Sequence, residues 1–224
     1  MTGVAAFTVF AAWLYLTFAR GAFWLVSTSD NGAALRPQAW PSLVAIVPAR
    51  DEAGCVRESI SSLLQQNYPG QISVILVDDQ SRDQTAAAAL DASQNLSAAH
   101  RLEICRGAAL PPGWTGKLWA QQQGIELSER ASQPPDYYLL TDADIVYAPG
   151  TIMSVVSRAE VEGLVLMSLM AKLRCESLAE HALIPAFVFF FRMLYPFSWV
   201  SDPKRITAAA AGGCALVRRD ALSM

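Results

Sequence analysis

Histidine is scarce in this chain, with only His100 and His181 among 224 residues. Neither stands in a pattern with a cysteine or an aspartate, which argues against a Ser-His-Asp hydrolase or a His-rich zinc centre. Cysteine is also thin: Cys55, Cys105, Cys175 and Cys214 are scattered, and no two form a Cys-x-x-Cys pair. They read as free, mostly buried thiols of a reducing compartment. No dense basic run occurs and the formal net charge is −3, so nucleic acid is not an expected partner. Neither a Gly-x-Gly-x-x-Gly run nor a Walker loop is present, so no backbone cradle for phosphate is visible. Internal repeats and low-complexity tracts are missing too. Charge itself is sparse. At 53% hydrophobic and 17% charged, the chain is apolar for a soluble domain, which argues for membrane association.

Two stretches concentrate that apolar character. Gly3 to Phe18 is uninterrupted, Arg20 is its first charge, and the run continues to Val26. Its length predicts a transmembrane anchor over 1–28, with a linker over 29–42. The basic residues Arg20, Arg36 and Arg50 lie towards or beyond its end, so the positive-inside rule places the rest of the chain on the cytoplasmic side of an inner or plasma membrane. No basic region precedes the run, as a cleaved signal peptide would require. The second stretch, 182–200, carries Phe187, Phe189, Phe190, Phe191 and Trp199 but also Pro185, Arg192 and Pro196. It reads as a membrane-interfacial helix, with a second span or a core helix as the other readings.

Between these stretches the pattern is one of alternating strands and helices. Leu43–Val47 is β-branched and apolar and is ended by Pro48; Val56, Ile60, Leu63 and Leu64 then mark one helix face. Ile72–Val77 predicts a second strand, and Ser81, Asp83 and Thr85 offer cap oxygens to an alanine-rich helix. Leu102–Cys105 is a weaker strand, and Gly113–Lys117 is a loop leading into a poorly amphipathic helix through about Glu129. Tyr137–Leu140 is a short buried strand behind Pro134 and Pro135. Pro149–Gly150 starts a helix through Ile152, Met153, Val155, Val156 and Ala159 that is closed by Gly163, and Leu164–Leu173 reads as a further strand. Such alternation predicts an α/β, doubly wound and mostly parallel sheet over 43–224.

Acidic residues follow three of the strands: Asp51 and Glu52, Asp78 and Asp79, and the pair Asp142 and Asp144. Carboxyl ends of parallel strands converge, so these acids describe one crevice. Two acids separated by one alanine, with no basic residue near them in sequence, repel unless a cation joins them. Hard oxygen ligands point to Mg2+ or Mn2+, with positions left for phosphate oxygens. Asp142 capping the next helix in a polar loop is the plainer reading. A metal at the pair, with Lys117 as a point charge, would carry a diphosphate in place of a backbone loop. An Asp-nucleophile phosphatase also opens with Asp-x-Asp after a strand. It needs a small Gly-Thr or Gly-Val turn where this chain has Ile145 to Tyr147.

Four segments stand in register: Val47–Ala53, Val77–Thr85, Gly116–Lys117 and Thr141–Asp144. In order and spacing they resemble family 2 glycosyltransferases, enzymes of the GT-A fold that use nucleotide-diphospho sugars. The apolar start, Gly113–Lys117 and Ala211–Arg218 are most similar to the hopene-associated branch, a relative of ceramide glucosyltransferases. The resemblance implies that Asp79 bonds the base or ribose, with Asp78 beside it, and that Pro48, Arg50 and Glu52 wall the base. It places Lys117 near the nucleotide or diphosphate, Asp142 on ribose or metal, and Asp144 as principal metal ligand. A membrane-associated inverting transferase with a lipid-like acceptor, in hopanoid-related metabolism, is the implied function. A non-catalytic or truncated nucleotide-sugar-binding membrane protein is the alternative. The family's general base follows the Gly-Gly segment, whereas here only Asp220 does. The domain therefore reads as incomplete at its C-terminus, and no catalytic base is named.

Overall fold

The computed structural model describes residues 2–25, 37–202 and 204–222. In chain order these contain α1 (Thr2–Leu14), β1 (Leu43–Ala49), α2 (Val56–Leu64), β2 (Ile72–Asp78), α3 (Thr85–Asn95), β3 (Leu102–Arg106), α4 (Gly116–Glu129) and β4 (Tyr137–Thr141). They continue with α5 (Thr151–Glu162), β5 (Leu166–Ser168), α6 (Leu178–Leu194), α7 (Phe197–Val200) and β6 (Cys214–Arg218). The chain divides into two compact units. One is built from 1–31 and 172–209, the other from 32–171 and 210–224.

The larger unit is a six-stranded sheet in the order β3-β2-β1-β4-β6-β5. Strands β3, β2, β1 and β4 run parallel, and β6 lies antiparallel between β4 and β5. The doubly wound, mostly parallel α/β expectation is met. Strand β1 alternates its faces. Leu43, Ala45, Val47 and Ala49 pack among buried residues of α2, α3 and α5. Val44 and Ile46 face the other way, with Ile75, Val77, Tyr138 and Ala120 of α4. Helix α4 comes very close to the sheet at Gly124, where a Cβ would stand 2.6 Å from Ile46 Cγ2. Its buried residues are Ala120, Gln121, Gly124 and Ser128, which explains why no apolar period was visible in the sequence.

Successive strands step outward from β1 to β3, and the chain then returns to the opposite side of β1 with β4. The loops after β1 and β4 therefore diverge around a topological switch point, where open α/β sheets bind ligands. Two expectations need correction. Pro48 does not end β1, which pairs with β2 through Ala49 but with β4 only through Ile46. A missing N–H costs nothing where one side of a strand is already unpaired. The strand expected over Leu164–Leu173 shrinks to Leu166–Ser168, because β6 pairs with it over only three residues. Strand β6 itself was not anticipated.

In the smaller unit the expected anchor is shorter than its apolar run. Helix α1 passes into a wider π-type turn over Tyr15–Ala19, and the backbone bends at Gly21 and Ala22, both at positive φ. Val26 lies outside the described residues, as do 29–36 of the expected linker. Arg20 fixes the bend by donating to the carbonyls of Met193 (3.0 Å) and Leu194 (3.2 Å), while Ser198 Oγ donates to Gly21 O at 2.6 Å. Among the described residues no helix is long and apolar enough to cross a membrane. Phe23 packs edge-on to Phe189 at 5.1 Å, and Arg20 lies 5.1 Å from the Trp199 ring centre. Helix α6 begins at Leu178 with a reciprocal Ser177/Glu180 capping box, and none of its residues is buried.

Candidate functional site

At the carboxyl end of β1 the chain makes a tight, clamped loop. Asp51 takes positive φ (57°), which a non-glycine residue adopts only when its surroundings hold it there. The loop after β2 is what holds it. Asp51 N–H donates to Ser81 Oγ, Arg82 N–H to Asp51 Oδ1, Glu52 N–H to Thr85 Oγ1 and Ala53 N–H to Asp83 Oδ2, all between 2.7 and 3.1 Å. Asp83 also accepts a hydrogen bond from the Thr85 hydroxyl, which holds its carboxyl below the ordinary aspartate range. Ser81, Asp83 and Thr85 thus bind this loop to β1, although the sequence presented them as helix caps. Asp83 Oδ1 also accepts the N–H of Thr85, the first residue of α3, at 3.0 Å, so Asp83 caps as expected, whereas Gln84 at the N-cap position makes no side-chain cap bond.

The adjacent acids Asp78 and Asp79 separate by geometry. Asp78 Oδ1 accepts the Ser81 N–H at 2.9 Å, closing a turn. Asp79 turns the other way, its half-enclosed carboxylate 3.5 Å from Arg50 Nη1. Two glycines stand against it. A Cβ at Gly116 would lie 3.2 Å from Asp79 Oδ2, and one at Gly107 the same distance from Asp79 Cα. The first turn of α4 therefore abuts Asp79, where the positive end of the helix dipole favours negative charge.

Past β4, Ala143 sinks into the core and leaves the acids on either side directed outward. Thr141, fully buried, donates to Gly213 O (3.0 Å) and accepts the Tyr147 hydroxyl (2.6 Å). Asp142 N–H reaches the same Gly213 carbonyl at 3.3 Å. Asp142 Oδ1 is ion-paired with Lys117 Nζ, and that ammonium also donates to Gly212 O at 3.1 Å. The expectation that no base neutralises the acidic pair is corrected here. Lys117 is 25 residues away in sequence, but α4 lies over the strand end and delivers it. Asp144 is exposed, and no described residue hydrogen-bonds or ion-pairs with its carboxylate.

The structure also ties in Cys55, which sequence reasoning passed over as a free thiol. Its Sγ lies 3.0 Å from Glu52 Oε2 at the start of α2. Burial first, then Glu52, push the thiol up to about 12, and the charge of Asp144 adds to the effect. Glu52, Cys55 and Asp144 thus share one electrostatic neighbourhood. Asp220, by contrast, is remote. Strand β6 pairs Cys214 with Thr141 at the site end and Arg218 with Tyr137 at the other. Asp220 lies beyond Arg218 and is held by its guanidinium at 2.7 Å.

Among the described residues no three His, Cys, Asp or Glu side chains gather as a metal cage. The donors present suit a different arrangement. Asp144, with the second oxygen of Asp142, offers hard oxygens, and Mg2+ or Mn2+ is commonly held by one or two carboxylates plus phosphates and water.

A sequence model described as Glycosyl transferase family 2 matches residues 44–223. The chain belongs to that family. No curated protein matches it in sequence. Among solved structures, a mannosyltransferase from Pyrobaculum calidifontis, determined with GDP-Man and Mn2+, is similar with a TM-score of 0.65 at 20% identity, over 99% of this chain and 56% of its own. TarS of S. aureus (residues 1–349) gives 0.52 at 15% identity, over 81% and 48%. Glucosyl-3-phosphoglycerate synthase of M. tuberculosis, with phosphoglyceric acid, gives 0.51 at 16%, over 82% and 58%. At these identities the likeness establishes the fold alone, which is GT-A-like. The family 2 chain described here spans about half the length of these structures.

Proposed function

We propose that this family 2 chain is the donor-binding part of an inverting glycosyltransferase that uses a nucleotide-diphosphate sugar and a divalent cation. The observation that carries the reading is the meeting of three strand-end loops and the first turn of α4 around Asp79, Lys117, Asp142 and Asp144. Asp79 accepts hydrogen bonds from the nucleoside, and Arg50 is displaced from it or shares it. Pro48, Arg50 and Glu52 line the nucleoside side, with Cys55 holding the Glu52 carboxylate. Asp78 supports the turn that aims Asp79. Lys117 meets the diphosphate. Asp144 and Asp142 hold Mn2+ or Mg2+, which when bound neutralises charge on the departing diphosphate.

For the acceptor we propose a lipid-like hydroxyl compound at a membrane surface, on the cytoplasmic side. The support is the smaller unit, whose exposed side chains include Phe7, Phe10, Trp13 and Phe18 on the amino-terminal helix, and Phe187, Phe189 and Phe190 on α6. A hopanoid-type lipid is the specific candidate, and it rests only on the resemblance of the apolar start, Gly113–Lys117 and Ala211–Arg218 to that branch.

The test is Asp144→Asn, which keeps the shape but removes one charge. UDP or GDP affinity measured calorimetrically in Mn2+ should fall by about 1–3 kcal/mol, the scale of a lost charged partner. The melt without metal should hold or rise, because repulsion between neighbouring acids is relieved. An unchanged titration beside a lowered melt would mean that the acids only build a loop.

A further inference from the structure

We infer that Lys117 is a resident counter-ion for Asp142, one that a divalent cation must displace and a nucleotide diphosphate draws away, so that donor and metal favour each other's binding. The inference rests on the donor-site reading above and deepens it. Lys117 is the second residue of α4, immediately after the glycine that abuts Asp79. Its ammonium is engaged twice, by Asp142 Oδ1 and by Gly212 O at 3.1 Å. One helical turn thus lies between the acid assigned to the nucleoside and the acid assigned to the metal.

The electrostatic consequence follows from counting charges. Without a nucleotide, the ammonium occupies one of the two carboxylates offered to the metal, and of the two only Asp144 has no hydrogen-bond or ion-pair partner among the described residues. A divalent ion arriving alone meets a cation at the same carboxylate, and two cations a few ångströms apart repel. A diphosphate reverses the balance. It attracts the ammonium, whose flexible four-carbon stem lets it move, and it returns Asp142 to the metal. The same movement takes the Lys117 hydrogen bond away from the Gly212 carbonyl, while Gly213 O stays held by Thr141 Oγ1 and the Asp142 N–H. Coupling of this kind is reciprocal: whatever factor the nucleotide gives to the metal, the metal gives to the nucleotide.

The experiment follows Mn2+ by electron paramagnetic resonance in the whole chain, first alone and then with saturating UDP or GDP. Lys117→Met should bind Mn2+ alone on the order of fivefold more tightly than wild type, the size that a partly exposed ion pair supports. The factor by which nucleotide tightens Mn2+ should shrink in that variant. Lys117→Arg, which keeps the charge, should resemble wild type for Mn2+ alone. Equal or weaker Mn2+ binding by Lys117→Met would overturn the inference. Asp144→Asn separates the two levels. If it weakens Mn2+ while Lys117→Met tightens nothing, the counter-ion role alone fails. If Mn2+ binding ignores Asp144 altogether, the metal assignment fails and the inference falls with it.

Discussion

Helices α5 and α6 are both rich in apolar residues, and the protein uses them in opposite ways. In α5 the apolar residues Ile152, Val155, Val156 and Ala159 recur along one stripe, and all four are buried. In α6 they are distributed around the helix, and Leu183, Phe187, Phe189, Phe190 and Leu194 remain exposed. A helix apolar on one stripe has its partner within its own domain. A helix apolar all round needs an environment apolar on every side. Hydrophobicity alone says that a surface must be covered; its period says whether the chain covers it itself. The sheet unit is closed in this sense and the helical unit is open.

The largest effect that can break this comparison is a charge placed in the closed helix. Val156→Asp buries an uncompensated carboxylate at a fully enclosed position and should cost more than about 4 kcal/mol, read as a urea midpoint shifted sharply down or as loss of the fold. A shift below about 1 kcal/mol would mean that α5 is not held as described. The counterpart in the open helix is Phe190→Asp. It should leave the urea midpoint within about 0.5 kcal/mol, as surface substitutions do. Partition onto phosphatidylethanolamine/phosphatidylglycerol vesicles should fall by about 2 kcal/mol, roughly 30-fold, the value of one buried aromatic side chain. Vesicle binding that ignores Phe190 would remove the membrane from the proposal. A lowered midpoint would instead place α6 within a protein core.

The same contrast explains which features were legible in advance. Strands β1, β2 and β4 were visible because continuous β-branched or aromatic runs leave few alternatives for so short a segment. Helix α2 was visible through Val56, Ile60, Leu63 and Leu64, all of them buried as its period required. Strand β6 was obscured because Cys214 and Ala215 follow two glycines, so its first half resembles a loop; its pairing with β4 comes from far along the chain. At the site, the acids were legible from their positions after strands, but their partners were not. Nothing local to Asp142 announces Lys117, and nothing local to Asp51 announces Ser81 and Arg82. The bend at Arg20 was missed for the same reason, since the carbonyls it binds are more than 170 residues away.

Closure in the sheet unit extends to its polar atoms, and this provides the smallest and sharpest test. Tyr138 is fully buried on β4, and its hydroxyl donates to Glu129 Oε1 at 2.6 Å. Glu129 is also gripped by Arg219 at 2.7 Å through both of its oxygens, so it does not depend on the tyrosine alone. Burial first, then the hydrogen bond to Glu129, push the Tyr138 phenol up to about 12. The unfolded chain ionises its tyrosines near pH 10. The folded form therefore holds this proton more tightly than the unfolded form. The contribution is complete below about pH 10 and is lost as the pH rises towards 12, because only the unfolded state gains by releasing the proton there. Tyr138→Phe removes both the bond and the titration. At pH 7 it should cost about 1 kcal/mol, the ordinary worth of one hydrogen bond with the acceptor still satisfied. The urea stabilities of variant and wild type should then converge between pH 10 and pH 12, since the wild type alone loses the Tyr138 contribution. Parallel curves across that window would show that the Tyr138 hydroxyl is open to water, and that the sheet unit is less closed at this end than its apolar core implies.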